Sequence, residues 1–170
     1  ELGGADPATR VRHRQQIRVR PDATLEFAET IDVPKAWTDL PRVGVVLSLP
    51  RAFSRLEWLG LGPHDTYPDR RASGRFGRFA SSVIEQYVPY AVPQEHGHHF
   101  ETQWLTLATD EGVAVRVAAG RPFGFSVSRF RAEDLFAALH TSDLVARDET
   151  VLHLGAAHRG LGTGSCGPDV

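Results

Sequence analysis

The sequence predicts an all-β fold that carries one short helix, and three observations support this prediction. Apolar and polar residues alternate over several short segments, as they do in strands that bury one face. The turn Asp110-Glu111-Gly112 separates two such segments, which is typical of a hairpin. Only residues 131–140 carry apolar side chains at helical spacing.

The first sixty residues contain four candidate strands, separated by turns and by a loop between two prolines at residues 34–41. Three of them alternate in period two, and the compact apolar run of the third is typical of a more central strand. The strands are predicted at residues 10–19, 23–31, 43–49 and 53–59. The side chains that we expect to face an interior are Leu25, Phe27, Ile31, Phe53, Leu56 and Trp58.

Residues 60–79 are rich in turns, and the chain is predicted to be irregular from there to Pro93. Four more strands follow, at residues 99–109, 112–119, 123–130 and 149–157. The helix is predicted over residues 131–140, because acidic residues in its first turn favour the helix dipole. Its apolar face is formed by Leu135, Phe136 and Leu139. No repeat or linker interrupts the chain, so residues 1–170 are predicted to form a single domain.

Composition excludes several classes of partner. The 170 residues carry a formal net charge of −2, which predicts neither nucleic acid nor an anionic membrane as a partner. No apolar run approaches the roughly 20 residues that span a bilayer. The single cysteine, Cys166, excludes an intrachain disulfide and favours a reducing compartment, so we expect a cytoplasmic location. The absence of methionine and the start at Glu1 predict a piece of a longer protein with a flexible start over residues 1–9.

The stretch GLGPHDTYPDRR, residues 60–71, brings a histidine and two aspartates close to two arginines. His64 or Asp65 could transfer protons in an active site. The alternative is an ordered connection, in which Asp65 and Asp69 cap turns and Arg70 pairs with a carboxylate. The glycine and proline punctuation favours the structural interpretation.

A second polar stretch, PQEHGHHF, contains Glu95, His96, His98 and His99. On a strand, His96 and His98 would share a face while Glu95 would point to the other side. Zinc needs three or four converging ligands, so a metal site is disfavoured here.

Three weaker candidates remain. His140 could act as an acid or base, although a histidine at a helix end more often satisfies the terminal carbonyls. Cys166 could be a nucleophile, but no neighbouring basic residue would lower its pKa. The sequence GLGTG resembles a phosphate loop, yet no helix follows it.

Five stretches occur together in a fixed order: LPRVGVVLSLP, LEWLGLGPHDTYPDRRASGRFGRF, YVPYAVPQEHG, RPFGFSVSRFRAEDLFAALHTSDL and HRGLGTGSCGP. This order resembles the C-terminal, small-chain domain of lac-type β-galactosidases of glycoside hydrolase family 2, from about Arg10 to Pro168. The resemblance implies an antiparallel supersandwich, the architecture also found in galactose mutarotases. It implies structural roles for Trp58, Gly60, Gly62, Pro63, Tyr67, Asp69, Arg70, Gln94, Glu95 and His140.

The same resemblance implies a non-catalytic role. The family hydrolyses terminal β-D-galactosides such as lactose with retention, using two glutamates on a separate barrel domain. Its acid/base glutamate follows an asparagine, and this chain contains no asparagine. We therefore expect no catalytic residue, metal or cofactor in this chain, with Mg²⁺ and Na⁺ bound in the barrel. The expected partners are that barrel domain or a large subunit, carbohydrate, and further copies in a homo-oligomer; nucleic acid and membrane are not expected.

One short match bears on substrate. Family members place a tryptophan of an S-W-[GS]-P loop at the rim of the active site, and here the loop is Ser165-Cys166-Gly167-Pro168. A thiol at Cys166 offers no flat surface for stacking on a sugar. Two alternatives stay open: an aldose 1-epimerase that uses Glu95 with His96 or His140, and a carbohydrate-binding or assembly module.

Overall fold

The computed structural model describes residues 10–37 and 39–162. The fold is all-β with antiparallel pairing throughout, as predicted. Two compact units divide the chain, one up to Leu40 and the other from Pro41. The single domain over residues 1–170 stays a prediction, and the flexible start over residues 1–9 lies outside the described residues.

The first unit contains a two-stranded ribbon. Strand β1 (Arg12–Val19) pairs with β2 (Leu25–Asp32), in a register that runs from Arg12↔Asp32 to Val19↔Leu25. The expectation that Leu25 and Phe27 face an interior is wrong, because both are about half exposed, while Ile31 is partly buried. A ribbon of two strands has no second layer of its own to cover an apolar face.

The second unit is built on a six-stranded sheet with the strand order β3-β8-β7-β6-β4-β5. Every pair of neighbours is antiparallel. The strands are β3 (Arg42–Pro50), β4 (Arg55–Gly62), β5 (Arg75–Ser82), β6 (His98–Ala108), β7 (Ala114–Ser128) and β8 (Glu149–His158). Short 3₁₀ turns lie at Ile84–Gln86 and Thr141–Asp143.

Two strand predictions need correction. Residues 75–82, predicted to lie in turns and irregular chain, form β5, which pairs with β4 so that Trp58 lies opposite Phe79. Residues 114–128 form one strand, β7, instead of two. The pairing of β7 with β6 is irregular between Ala118 and Phe123, and this bulge accommodates Pro122, which cannot donate a ladder hydrogen bond.

The predicted helix is shorter and less amphipathic than expected. Helix α1 covers Ala132–Ala137, and Leu135 is its only buried residue. Phe136 and Leu139 are 92% and 69% exposed, so the predicted apolar face is wrong. A helix of fewer than two turns presents a single inward position, and Leu139 already lies beyond its end.

One face of the six-stranded sheet carries the hydrophobic core. Trp58 lies at its centre with 1% of its surface exposed, as its alternating segment predicted. The buried members of the core are Leu56, Trp58, Val83, Leu105, Leu107, Phe123, Phe125, Val127 and Leu152. Within the described residues, no helix has the length and apolarity that a membrane crossing requires.

Candidate functional site

The loop after β4 uses its polar groups to hold its own shape. Tyr67 and Arg70 exchange two backbone hydrogen bonds, with N···O distances of 3.1 and 3.0 Å, which closes a tight turn. The Arg70 guanidinium pairs with the buried Asp65 carboxylate, whose Oδ2 also accepts from the Gly97 N–H at 3.4 Å. His64 is exposed. These contacts agree with the structural interpretation of GLGPHDTYPDRR.

The end of β4, which leads into this loop, is packed closely against its neighbours. A Cβ at Gly60 would lie 2.8 Å from Thr102 Cα, and one at Gly62 would lie 2.8 Å from the Phe79 ring. The Gly62–Pro63 peptide bond is cis. Glycine is therefore required at both positions by the approach of neighbouring atoms.

The same loop orients His98. Its Nδ1 donates to the Thr66 carbonyl oxygen at 2.9 Å, and the Tyr67 ring stacks on its imidazole at a centroid distance of 5.0 Å. Because a carbonyl can only accept, the proton lies on Nδ1 and Nε2 keeps a free lone pair. Burial lowers the pKa of His98 to about 4, so the ring is neutral at pH 7.

Tyr67 supports a second histidine. Its ring meets the His158 ring edge-on at 5.3 Å. The Tyr67 hydroxyl is buried and makes no hydrogen bond within the described residues. Burial, together with the negative charges of Glu95 and Asp65, raises the pKa of this hydroxyl, which stays protonated.

The sheet face opposite the core contains a trough with a floor of glycines. The residues Gly44, Gly155 and Gly124 lie side by side on β3, β8 and β7. A second row of residues lies two positions further along these strands and is therefore on the same face of the sheet. This row consists of Val46, His153, Ser126 and His98. We call the two rows, with the adjoining His158, the glycine trough.

The glycine trough forms two adjoining depressions of about 190 and 270 Å³, which share His98, Gly155, Ala157 and His158. The His98 ring lies across Gly124, where a Cβ would be 2.3 Å from Nε2. A Cβ at Gly155 would have no neighbour closer than 3.5 Å. The trough thus owes its depth at Gly155 to the missing side chain.

Asp69 connects the loop to the end of β8. Its carboxylate accepts from the Leu161 N–H at 2.9 Å and from the Gly162 N–H at 2.6 Å. Burial alone would raise the pKa of Asp69, but these N–H groups outweigh it and hold the pKa below its usual value. Gly160 has a φ of +113°, and its N–H donates to His158 Nδ1 at 2.9 Å. Asp69 therefore fixes the backbone just before the terminal residues.

The four residues of the suggested metal set do not converge. Glu95 pairs with Arg42 at 3.2 Å, and His96, which lies before β6 and not on a strand, has its Nδ1 2.8 Å from the Gln94 carbonyl oxygen. The His99 ring points into the core, where it packs against Trp58 at 4.3 Å. No three His, Cys, Asp or Glu residues in the described part of the chain are placed to hold a metal ion.

The other predicted site residues lie elsewhere. His140 is exposed and begins the 3₁₀ turn Thr141–Asp143, where its N–H donates to Asp143 Oδ2 at 2.8 Å. It does not cap α1, because that helix ends at Ala137. Ser165 and Cys166 fall outside the described residues.

The sequence carries a signal for the glycine trough in the alternation of two strands. In residues 123–127, Gly124 and Ser126 alternate with large apolar residues. In residues 152–155, His153 and Gly155 alternate with leucines in the same way. Small or polar residues at every second position of two core strands indicate a sheet face that is not covered by apolar packing.

Fold and site together define an antiparallel all-β domain with a histidine-lined trough and with loop carboxylates engaged in structural contacts. The chain belongs to the β-galactosidase small-chain family, whose family model matches residues 5–170. This confirms the resemblance seen in the sequence.

Individual relatives agree with this assignment. The chain is 40% identical over 148 residues to a β-galactosidase of Arthrobacter sp. (strain B7), covering 82% of this chain and 15% of that protein. It is 37% identical over 155 residues to a β-galactosidase of Vibrio cholerae serotype O1, covering 91% of this chain and 14% of that protein. It is 35% identical over 133 residues to a β-galactosidase of Kluyveromyces lactis, covering 78% of this chain and 13% of that protein. The chain thus spans about a seventh of the length of these curated relatives.

Proposed function

We propose that this chain is the non-catalytic, C-terminal supersandwich domain of a lac-type, retaining β-galactosidase that hydrolyses terminal β-D-galactosides such as lactose. The observation that carries the proposal is the family match over residues 5–170, together with relatives of which the chain covers only 13 to 15%. The two catalytic glutamates of the retaining reaction then belong to the larger, catalytic region.

The contacts of the signature residues support a structural role. Asp65 is paired with Arg70, and Glu95 is paired with Arg42. Asp69 accepts from backbone N–H groups. A carboxylate that such partners engage serves the fold and is not free to act on a substrate. In the proposed enzyme, Mg²⁺ and Na⁺ would bind in the catalytic barrel domain. The enzyme would be cytoplasmic and would form a homo-oligomer.

The terminal residues would contribute to the rim of the active site. Asp69 holds the backbone at Leu161 and Gly162, a few residues before Ser165 and Cys166. A domain that shapes a rim must present its terminal segment in a fixed direction, and this clamp supplies a fixed starting point. The proposal assigns Ser165 and Cys166 to the leaving-group side of the substrate.

Assembly with the catalytic region would cover apolar side chains that α1 and the segment after it leave exposed. Phe136, Leu139 and Val145 are 92%, 69% and 81% exposed. All three lie within ten residues of the sequence, and exposed apolar side chains that form a patch mark interaction surfaces. Because most of the relatives' length lies outside this chain, the catalytic barrel domain or large subunit is the partner that we assign to them.

The test combines this chain with the remaining region of the same β-galactosidase, expressed as a separate chain. We expect a stable complex on gel filtration that turns over 4-nitrophenyl β-D-galactoside. The double variant Phe136→Ser, Leu139→Ser should weaken the complex at least tenfold. Val113→Ser, at an exposed apolar residue of the hairpin, is the control and should assemble normally. If the two regions neither associate nor produce activity, the proposed role is wrong.

A carbohydrate-directed alternative, either an epimerase or a binding module, draws on a different observation, the histidines of the glycine trough. The residue pairs first suggested for an epimerase are engaged elsewhere, since Glu95 pairs with Arg42 and His140 contacts Asp143. Optical rotation after addition of fresh α-D-galactose distinguishes the epimerase from the favoured role. An epimerase would accelerate the drift in rotation, whereas a non-catalytic domain leaves the rate unchanged.

A further inference from the structure

The glycine trough offers hydrogen-bonding groups that the fold itself does not use. His98 Nε2 is an acceptor, because the Nδ1 proton is donated to Thr66. The ring nitrogens of His153 make no hydrogen bond within the described residues, and burial lowers the pKa of His153 to about 4. The Ser126 hydroxyl, which can donate and accept, lies between them on β7.

His158 adds a donor. Its Nδ1 accepts from the Gly160 N–H at 2.9 Å, so the neutral ring carries its proton on Nε2. Burial lowers the pKa of His158, which favours this neutral form. The His158 and His98 rings lie 4.7 Å apart. An acceptor and a donor therefore stand next to each other at the trough, and neither carries a charge.

The charged residues that line the two depressions are already paired. Arg42 binds Glu95 at 3.2 Å, and Glu101 binds Arg71 at 2.6 Å. A phosphate or carboxylate ligand would have to compete for Arg42, because the three histidines are neutral. An apolar ligand would bury the free ring nitrogens without partners, which costs about 1–3 kcal/mol for each buried group. The trough is suited to a neutral ligand with many hydroxyl groups.

Size and shape specify the ligand further. His98 and His153 stand two strands apart, a separation of roughly 10 Å at the backbone. Ser126 lies between them, and Gly155 in the neighbouring row leaves open space over which the C–H face of a saturated ring can lie, whereas the His98 ring already covers Gly124. Phe100 and Pro122 add apolar surface at one end. A pyranose combines an apolar C–H face with a rim of hydroxyl groups, and sites of this kind place a few polar groups around an apolar surface.

We propose that the glycine trough binds a single neutral pyranose, with His98, His153 and His158 hydrogen-bonded to its hydroxyl groups. The inference concerns residues of this chain only and does not depend on whether the chain takes part in galactoside hydrolysis. Its failure is therefore distinguishable from failure of the assembly experiment.

The test follows the histidine side-chain ¹⁵N resonances of the full 170-residue chain at pH 7 during titration with D-galactose. Parallel titrations use D-glucose, lactose and inorganic phosphate. We expect saturable shifts of the His98, His153 and His158 signals with at least one sugar at millimolar concentration. The signal of the core residue His99 should not move, and phosphate should cause no saturable shift.

Two matched variants locate the site. Gly155→Val fills the trough at a position with room for a Cβ, and should weaken sugar binding at least tenfold. Gly120→Val lies on β7 where a Cβ meets nothing within 4 Å, and should bind as the unchanged chain does. His153→Phe, which keeps a ring but removes its nitrogens, should also weaken binding, and an unchanged His99 signal shows that each variant is folded. Absence of a saturable shift with every sugar, phosphate binding in place of sugar binding, or undiminished binding by both Gly155→Val and His153→Phe overturns the proposal.

Discussion

Replacement of Trp58 by alanine should lower the free energy of unfolding by about 3–5 kcal/mol, the range for truncation of a buried aromatic residue. The indole is 1% exposed and packs against His99, Phe79 and Phe125 at centroid distances of 4.3, 5.3 and 6.0 Å. Its Nε1–H also donates to the Leu61 carbonyl oxygen at 3.1 Å. His99 Nδ1 lies 3.3 Å from the same oxygen, so loss of the indole bond adds only about 1 kcal/mol. Because the substitution removes this hydrogen bond as well as the packing against three rings, we expect a loss of unfolding free energy in the upper half of the range.

Urea denaturation, followed by circular dichroism with a common m-value, measures this change. Trp104→Ala is the matched control, because Trp104 is only partly buried and lies under the Arg116 guanidinium at 4.4 Å from the ring centroid. Loss of that cation–π contact costs about 0.5–1 kcal/mol, and loss of its packing adds a similar amount. A cost for Trp58→Ala no larger than the cost for Trp104→Ala would refute the placement of Trp58 at the centre of the core.

Three further outcomes are expected. Asp69→Ala should raise the hydrogen-exchange rates of the Leu161 and Gly162 amides at least tenfold, because both amides lose their acceptor. The control His64→Ala, in the same loop, should leave these rates unchanged. Equal rates in the two variants would contradict the role of Asp69 in holding this backbone. Burial lowers the pKa of His98 and of His99 from 6.5 to about 4, so the unfolded chain binds more protons than the folded chain between these pH values. The free energy of unfolding should therefore be at its full value above pH 6.5. It should fall by about 2 kcal/mol per histidine between pH 7 and pH 5. Equal urea midpoints at the two pH values would contradict that assignment. In the intact enzyme, Cys166→Trp should lower the KM for lactose more than the KM for nitrophenyl galactoside, because an aromatic face stacks on the leaving sugar. An unchanged KM for lactose together with unchanged inhibition by glucose would contradict the assignment of Cys166 to the rim of the active site.

The sequence predicted those parts of the fold in which local pattern and tertiary packing agree. Alternation over residues 53–59 placed Trp58 in the core. The Asp110-Glu111-Gly112 turn was predicted from its residue types, and Gly112 indeed adopts a φ of +88° between β6 and β7. In both cases short-range chemistry decides the structure.

Where tertiary pairing overrides local pattern, the predictions failed. In β5, Gly77 interrupts the apolar pattern, and only its pairing with β4 identifies the segment as a strand. In α1, Phe136 is apolar but faces away from the sheet, which periodicity over so short a segment cannot reveal.

The glycine trough was missed for a related reason. His98, Ser126 and His153 come from three strands that lie far apart in the sequence. They become neighbours only through the order β8-β7-β6 in the sheet. Local alternation shows that Ser126 and His153 each face away from the core, but not that they adjoin each other.

The most direct test of a non-catalytic role is the turnover of 4-nitrophenyl β-D-galactoside by this chain, purified to homogeneity, with and without the remaining region of the β-galactosidase. No turnover is expected from the chain by itself, because the proposal places both catalytic glutamates in the other region, and turnover should require the combination. Turnover by the purified chain that is lost on replacing one of its own carboxylates, as in Glu95→Gln, would contradict the account.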